Sequence, residues 1–335
     1  MISFAGIVLF TLLTISCRTV EQDNSVIPGA WQIETYLPLL KGKAVAIVAN
    51  QTSTVGKTHL VDTLLKSGVK ISAIFAPEHG FRDLADAGDL ISDGKDPVTG
   101  LRILSLYGSH QKPTSEDLNG IDIVVFDIQD VGVRFYTYIS TLHYVLEACA
   151  ENGVKCIVLD RPNPNGFYFD GNIADTSYRS FVGMDPVPVV HGMTPGEYAL
   201  MLNGEGWLKN KDVCDLEVIK CLNYDHSTLY ELPVRPSPNL PNQNSVYLYP
   251  STCWFEGTNI SLGRGTPYPF QVFGSPLLPD RGFSFTPESV PGAKNPPLLG
   301  KLCFGTDLSN ALADNIVPSP AINLEWLLGA YRDYP

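Results

Sequence analysis

Five short apolar runs, each closed by a polar cluster, set narrow limits on the architecture of this 335-residue chain. They are Lys43–Asn50 (KAVAIVAN), Val69–Ala76 (VKISAIFA), Leu101–Tyr107 (LRILSLY), Ile121–Ile128 (IDIVVFDI) and Val154–Asp160 (VKCIVLD). A strand this uniformly apolar has no face to show water, so both of its faces must be covered. Helical patterns lie between the runs. His59–Ser67 stops at Gly68, Pro113–Leu118 reads as a short helix capped by Thr114, and Ile139–Ala150 stops at Asn152-Gly153. Alternation of this kind predicts an α/β fold, a doubly wound parallel sheet with helices on both faces.

The pattern changes after Phe167, where Pro and Gly multiply. Pro195–Leu208 reads as a helix with Thr194 as cap and Pro195 at its first position. Leu216–Lys220 reads as a strand, and beyond Leu232 the chain is rich in turns. A boundary is expected between Val190 and Leu208, giving a first domain over 31–195 and a smaller C-terminal α/β domain over 196–335. The last helical pattern, Asn323–Tyr334, meets Pro335 without a cap and reads as a truncated end.

Ile2–Ile15 is uncharged and too short to span a bilayer. It leads to Ile15-Ser16-Cys17, which resembles a bacterial lipoprotein signal with Cys17 as the acylated residue. Residues 18–30 are then a tether, and the protein is exported and anchored to a membrane, facing the periplasm or the cell surface. A plain secretory peptide is the alternative. Acidic residues outnumber basic ones 35 to 23 without a Lys/Arg cluster, which argues against nucleic acid. The six other cysteines include no C-x-x-C pair, so no zinc site is signalled. Cys149 and Cys156 read as buried small hydrophobes, while Cys214 and Cys221 flank one strand and can bridge in an oxidising compartment.

In a parallel sheet all strand ends of one kind lie on one edge, and ligands bind in the crevice beyond the carboxyl ends. Pro77 stops the second run, and Glu78, His79, Gly80, Arg82, Asp83, Asp86 and Asp89 follow. Other ends deliver Asn50 and Gln51; Asp127, Gln129 and Asp130; and Asp160, Arg161, Asn163 and Asn165. Arg134, Tyr136 and Tyr138 come close behind, the two tyrosines fitting core packing better than ligand contact. Asp127 can equally be a loop cap. Later polar clusters hold Glu256 and Asn259, then Arg264; His191 fits a structural role first and a binding role second. Gln51–Thr58 (QTSTVGKT) nearly fits a phosphate loop, but Gln51 stands where that loop needs its first Gly, so no nucleotide is expected. The serine pattern G-x-S-x-G is missing. Acids and amides without a metal cluster fit glycoside hydrolysis, which needs one protonated carboxyl and a second group to attack, stabilise or activate water. Glu78, beside an apolar strand, suits a carboxyl with the raised pKa of a proton donor.

The segments VANQTS, FAPEHGFRDLADAG, DPVTGL, FDIQDVGVRFYTYISTLHYV, LDRPNPNG, VVHGMTPGEYA, RPSPNLPN, FEGTNISLGRGT and GAKNPPLLGK occur in order over Val45–Gly305. Together they resemble the NamZ-type exo-β-N-acetylmuramidases, which are peptidoglycan hydrolases. The resemblance implies a Rossmann-like domain plus a smaller α/β domain with the active site in the cleft between them. It implies release of terminal N-acetylmuramic acid from wall fragments, with no cofactor and no metal. The Glu of the E-H-G motif, here Glu78, is implied as catalytic, with Asp130 and Glu256 as positional candidates for the second group. His79 orients Glu78 or meets the lactyl carboxylate of the sugar, and Arg82, Arg134 or Arg264 can pair with that carboxylate. Asn50, Asp160, Arg161, Asn163, His191 and Asn259 complete the expected binding set. A lipoprotein that binds wall glycans without cleaving them is the rival expectation.

Overall fold

The computed structural model describes residues 24–82, 93–311 and 319–335. Cys17, Asp83, Asp86 and Asp89 lie outside the described residues. Helix α1 (Ile33–Leu40) precedes β1 (Ala44–Ala49), which is buried at every position. A hairpin of β2 (Thr54–Val55) and β3 (Thr58–His59) leads to α2 (Leu60–Lys66). Thus QTSTVGKT forms a hairpin with Gly56 in its turn (φ +58°), and Lys57 and Thr58 do not head a helix. Then come β4 (Lys70–Ala76), β5 (Gly94–Lys95), β6 (Arg102–Ser105), β7 (Ile123–Asp127), α3 (Tyr138–Asn152), β8 (Lys155–Leu159), α4 (Pro195–Gly204) and β9 (Leu216–Ile219).

Seven strands form one sheet in the order β5-β6-β4-β1-β7-β8-β9, parallel except for the β5–β6 pair. Leaving out the short β5, this is the 3-2-1-4-5-6 order of doubly wound dinucleotide-binding sheets, with its switch point between β1 and β7. The uninterrupted apolar runs divide by residue parity. Ala46, Val48, Val124, Phe126, Cys156 and Val158 face α3 and α4 through Leu142, Leu146, Tyr198 and Leu202. Val45, Ile47, Ile123, Val125, Ile157 and Leu159 face α1 and α2 through Tyr36, Leu40, Leu60 and Leu64. Two-faced burial is why these strands lack the polar alternation of a half-exposed sheet.

Helix ends follow their residues. Gly153 takes the left-handed conformation (φ +65°) that closes α3, and Thr194 and Glu197 form a reciprocal capping box on α4 behind Pro195. The sheet extends past the 195/196 boundary expected from sequence, because β9 pairs in parallel with β8. Beyond it lie α5 (Gln243–Thr252), the antiparallel strands β10 (Val272–Ser275), β11 (Ser284–Phe285) and β12 (Cys303–Asp307), and α6 (Glu325–Asp333). Val246, Tyr249, Phe255, Phe270 and Phe273 from this part join the same apolar cluster as the α3 face of the large sheet. Pro113–Leu118 is a run of turns rather than a helix, with the Asp117 carboxylate accepting from both the Thr114 amide and hydroxyl. Cys214 and Cys221 are free thiols. No helix among the described residues is long and apolar enough to cross a membrane.

Candidate active site

Strand β4 ends at Ala76, where Pro77 can no longer donate to the ladder, and the chain turns at once. The turn is tight: Gly80 N–H donates to the Pro77 carbonyl (3.0 Å), and both His79 (φ +70°) and Gly80 (φ +82°) are left-handed. For a histidine that conformation costs on the order of 1 kcal/mol or more, a strain that persists where the surroundings dictate it. His79 is buried there, and Glu78 is left half-buried at the mouth of a cleft. Thr137, the residue before α3, makes no side-chain cap; its hydroxyl instead donates to Glu78 Oε2 (2.8 Å). Tyr107, just past β6, lies near Glu78, and burial, followed by the Glu78 charge, pushes its phenol up to about 12. Glu78 is therefore held by the Thr137 hydroxyl, with the neutral Tyr107 phenol nearby.

The cleft has a volume of about 210 Å³. One wall comes from Glu78, His79 and Phe135–Tyr138; the other comes from Ser237, Asn239, Tyr249, Glu256, Arg264 and Phe270 of the C-terminal part. Tyr136 and Tyr138 stack edge-on at 4.8 Å, so each packs in the core while also forming cleft wall. Tyr249 sits where it feels Glu256, Arg264 and Glu78 together; burial first, then Glu256, raises its phenol so that it stays neutral. Glu256 Oε1 accepts from Arg264 Nη2 at 2.7 Å, and the guanidinium lies 4.9 Å over the Phe270 ring.

Of the residues expected from sequence, Glu78, His79, Glu256 and Arg264 meet in this cleft. The others are placed elsewhere, and each has a physical reason. The switch point between β1 and β7 is filled by the protein itself. Asn50 Oδ1 accepts from the Thr52 amide (2.9 Å) and hydroxyl (2.6 Å), Thr52 Oγ1 accepts from Gln129 N–H (3.0 Å), and the Ser53 hydroxyl donates to the Asp127 carbonyl. Arg161 forms a buried pair with Asp127, Nη2 to Oδ2 at 2.9 Å. Asp160 caps α4, accepting from Gly196 N–H (2.7 Å) and the Thr194 hydroxyl (2.9 Å). Asn163 accepts from Asn165 N–H (2.8 Å) and packs on Gly132, whose left-handed backbone leaves no room for a Cβ, 2.3 Å from Asn163 Oδ1. Arg134 Nη1 donates to the carbonyls of Asn172 (2.7 Å) and Val187 (2.6 Å).

Asp130 is buried outside the cleft lining, with Oδ2 accepting from Gly132 N–H (2.6 Å) and lying 3.6 Å from His191 Nε2. His191 in turn accepts from Met193 N–H (3.2 Å). Asn259 lines a different and wider groove of about 730 Å³, beside Leu327, Tyr331 and Tyr334. No carboxyl or imidazole side chain lines that groove, so its size does not make it the reaction centre. Among the described residues no cluster of three or more His, Cys, Asp or Glu could hold a metal ion. Thr137, Tyr107, Ser237, Asn239 and Tyr249 were not anticipated. Tyr107 ends a strand run and Ser237 and Asn239 lie in RPSPNLPN, so position alone could have flagged those three.

Arg82 turns away from the cleft and holds Asp96 with two bonds of 2.9 Å each. Burial alone would raise the Asp96 carboxyl, but Arg82 and Thr99 outweigh it and hold it at about 2. Glu147 is also held at about 2, with burial outweighed by bonds from His143, Lys112 and the Lys209 amide. Asp160 goes the other way: burial pushes it up to about 6 against its three donors. For Asp96 and Glu147 the unfolded chain takes up protons first as pH falls, so their contribution is full above roughly pH 5 and is lost toward pH 2. For Asp160 the folded chain binds its proton first, so stability rises as pH falls from about 6 to about 4. Urea midpoints are expected to hold or rise slightly from pH 7 to 5 and to drop at pH 3. A midpoint at pH 3 equal to that at pH 5 would contradict this account.

Two family models cover nearly the whole described chain: the N-terminal domain of exo-β-N-acetylmuramidase NamZ over residues 45–244 and its C-terminal domain over 247–335. The chain is 39% identical to the peptidoglycan β-N-acetylmuramidase NamZ of Bacillus subtilis (strain 168), over 90% of this chain and 78% of that relative. It is also similar to two crystal structures of DUF1343-family proteins from Bacteroides fragilis NCTC 9343. One has a TM-score of 0.85 at 52% identity, covering 92% of this chain and 83% of that one. The other has a TM-score of 0.73 at 32% identity, covering 84% and 76%. By both of its halves, and by relatives matched over most of their length, this chain belongs to the exo-β-N-acetylmuramidase NamZ family.

Proposed function

We propose that this protein releases terminal N-acetylmuramic acid from peptidoglycan fragments by exo-acting hydrolysis, with Glu78 as the general acid. Membership of the family makes the chain a glycosidase. The observation that carries the finer reading is the placement of Glu78: a carboxyl at a strand end, in a cleft, held by the Thr137 hydroxyl. Protonation of the glycosidic oxygen by such a carboxyl lets the aglycone leave as the sugar takes on oxocarbenium character. The cleft volume lies below the roughly 300–1,000 Å³ of sites for drug-sized ligands, which suits one terminal sugar better than a length of polymer.

The same proposal includes export and a lipid anchor at Cys17, resting on the apolar run before it. Cys17→Ala should move the protein from the membrane fraction to the soluble one. For the activity, incubation with a disaccharide carrying N-acetylmuramic acid at its non-reducing end is expected to yield free N-acetylmuramic acid by chromatography. Binding of that disaccharide without release of sugar would leave a glycan-binding protein and remove the hydrolase reading.

A further inference from the structure

Resting on the muramidase reading, we propose that Arg264 is the specificity residue that receives the lactyl carboxylate of N-acetylmuramic acid, and that Glu256 positions Arg264 rather than serving as the second catalytic carboxyl. Three arginines had the chemistry for this task, and their surroundings separate them. Arg82 is committed to Asp96, and Arg134 to two backbone carbonyls. Arg264 is the one Lys or Arg among the described residues lining the Glu78 cleft.

Charge makes the assignment directional. Apart from Glu78, which acts protonated, the lining carries the acidic side chain of Glu256, so a sugar bearing its own carboxylate needs a cation there. Placing the lactyl group at Arg264 leaves the glycosidic bond to Glu78, whereas the reverse orientation takes the lactyl carboxylate away from the cation of the lining. The guanidinium is also held in place. Its Cζ lies over the Phe270 ring, 4.9 Å from the centroid, and one nitrogen is tied to Glu256 at 2.7 Å. That contact engages only one nitrogen of the fork, and a guanidinium presents five N–H donors in fixed geometry. A ring face and a single ion pair thus orient a planar donor that can still meet a second carboxylate through its other nitrogens. Glu256 is consumed in that orientation.

The test is calorimetric titration with free N-acetylmuramic acid and with N-acetylglucosamine, which lacks the lactyl group, on the wild type, Arg264→Gln and Arg264→Lys. The wild type should bind the muramic acid more tightly. Arg264→Gln should lose roughly 10–100-fold of that affinity, as expected for a hydrogen bond to a charged group, with N-acetylglucosamine changed by less than about threefold. Arg264→Lys keeps the charge without the fork and should fall in between. Equal binding of the two sugars by the wild type, or an equal loss of both in Arg264→Gln, overturns the assignment whether or not the protein hydrolyses anything. Failure of the muramidase reading shows separately, as absence of released sugar with the titrations intact. Glu256→Gln should weaken binding of N-acetylmuramic acid and raise KM while kcat falls by less than about 10²-fold; a kcat loss of roughly 10²-fold or more, or unchanged muramic acid binding, would overturn its positioning role.

Discussion

Glu78→Gln is expected to lower kcat on an aryl β-N-acetylmuramide by roughly 10²–10⁴-fold with little change in thermal stability. Glutamine has the shape of glutamate, and its amide oxygen can still accept from the Thr137 hydroxyl, so the group that fixes the side chain keeps its partner. Glu78 is half-buried at a cleft mouth and not part of either apolar cluster, so the fold has little reason to respond. What is lost is the proton. The loss should depend on the leaving group, because a phenol as acidic as dinitrophenol departs without help. A dinitrophenyl muramide should therefore be cleaved by the variant at a rate much closer to wild type than an alkyl or sugar glycoside. An equal loss across leaving groups would move Glu78 from donor to the group that attacks or activates water. Wild-type rates on all of them would remove Glu78 from the reaction.

The sequence made the large sheet legible because burial on both faces leaves an unmistakable trace, and β1, β4, β6, β7 and β8 fall on the five apolar runs. It made Glu78 legible for a related reason: a parallel sheet gathers its strand ends on one edge. That edge gathers more than ligand-binding groups. Asn50, Asp160, Arg161 and Asn163 are at strand ends too, and Asn50 Oδ1 and the other three side chains serve loop amides, a helix cap and an ion pair. Closing a sheet edge and binding a ligand call for the same residue types, since buried backbone groups need partners as surely as a sugar does. Residue identity therefore does not separate the two fates; only the path of the chain does. The far cleft wall was hidden for another reason. Ser237, Tyr249, Glu256 and Arg264 lie some 160 to 190 residues from Glu78, brought there by packing that no local pattern records. Helix α5, which supplies Tyr249, carries Pro250 within it and follows a Pro-rich stretch, so its pattern reads as turns.

Arg161→Met should be the most damaging single change to stability away from the cleft. The Asp127 side chain is fully buried and its carboxylate is met on both oxygens by Arg161, whose own side chain is only 3% exposed. Removing the guanidinium leaves a buried carboxylate at the switch point with no cation. Breaking such a pair from one side typically costs about 3–5 kcal/mol, a large share of the roughly 5–15 kcal/mol that holds a domain together. Urea unfolding should show the midpoint falling by that equivalent, with the slope little changed. Removing the stranded charge as well, in Asp127→Leu/Arg161→Met, should recover much of the loss, because two apolar side chains avoid the desolvation that a lone ion incurs. The substrate-binding role expected of Arg161 from sequence makes the opposite prediction. If Arg161→Met unfolds at the wild-type urea concentration yet raises KM tenfold or more, the guanidinium serves the ligand and the switch point is an open part of the site rather than a sealed one.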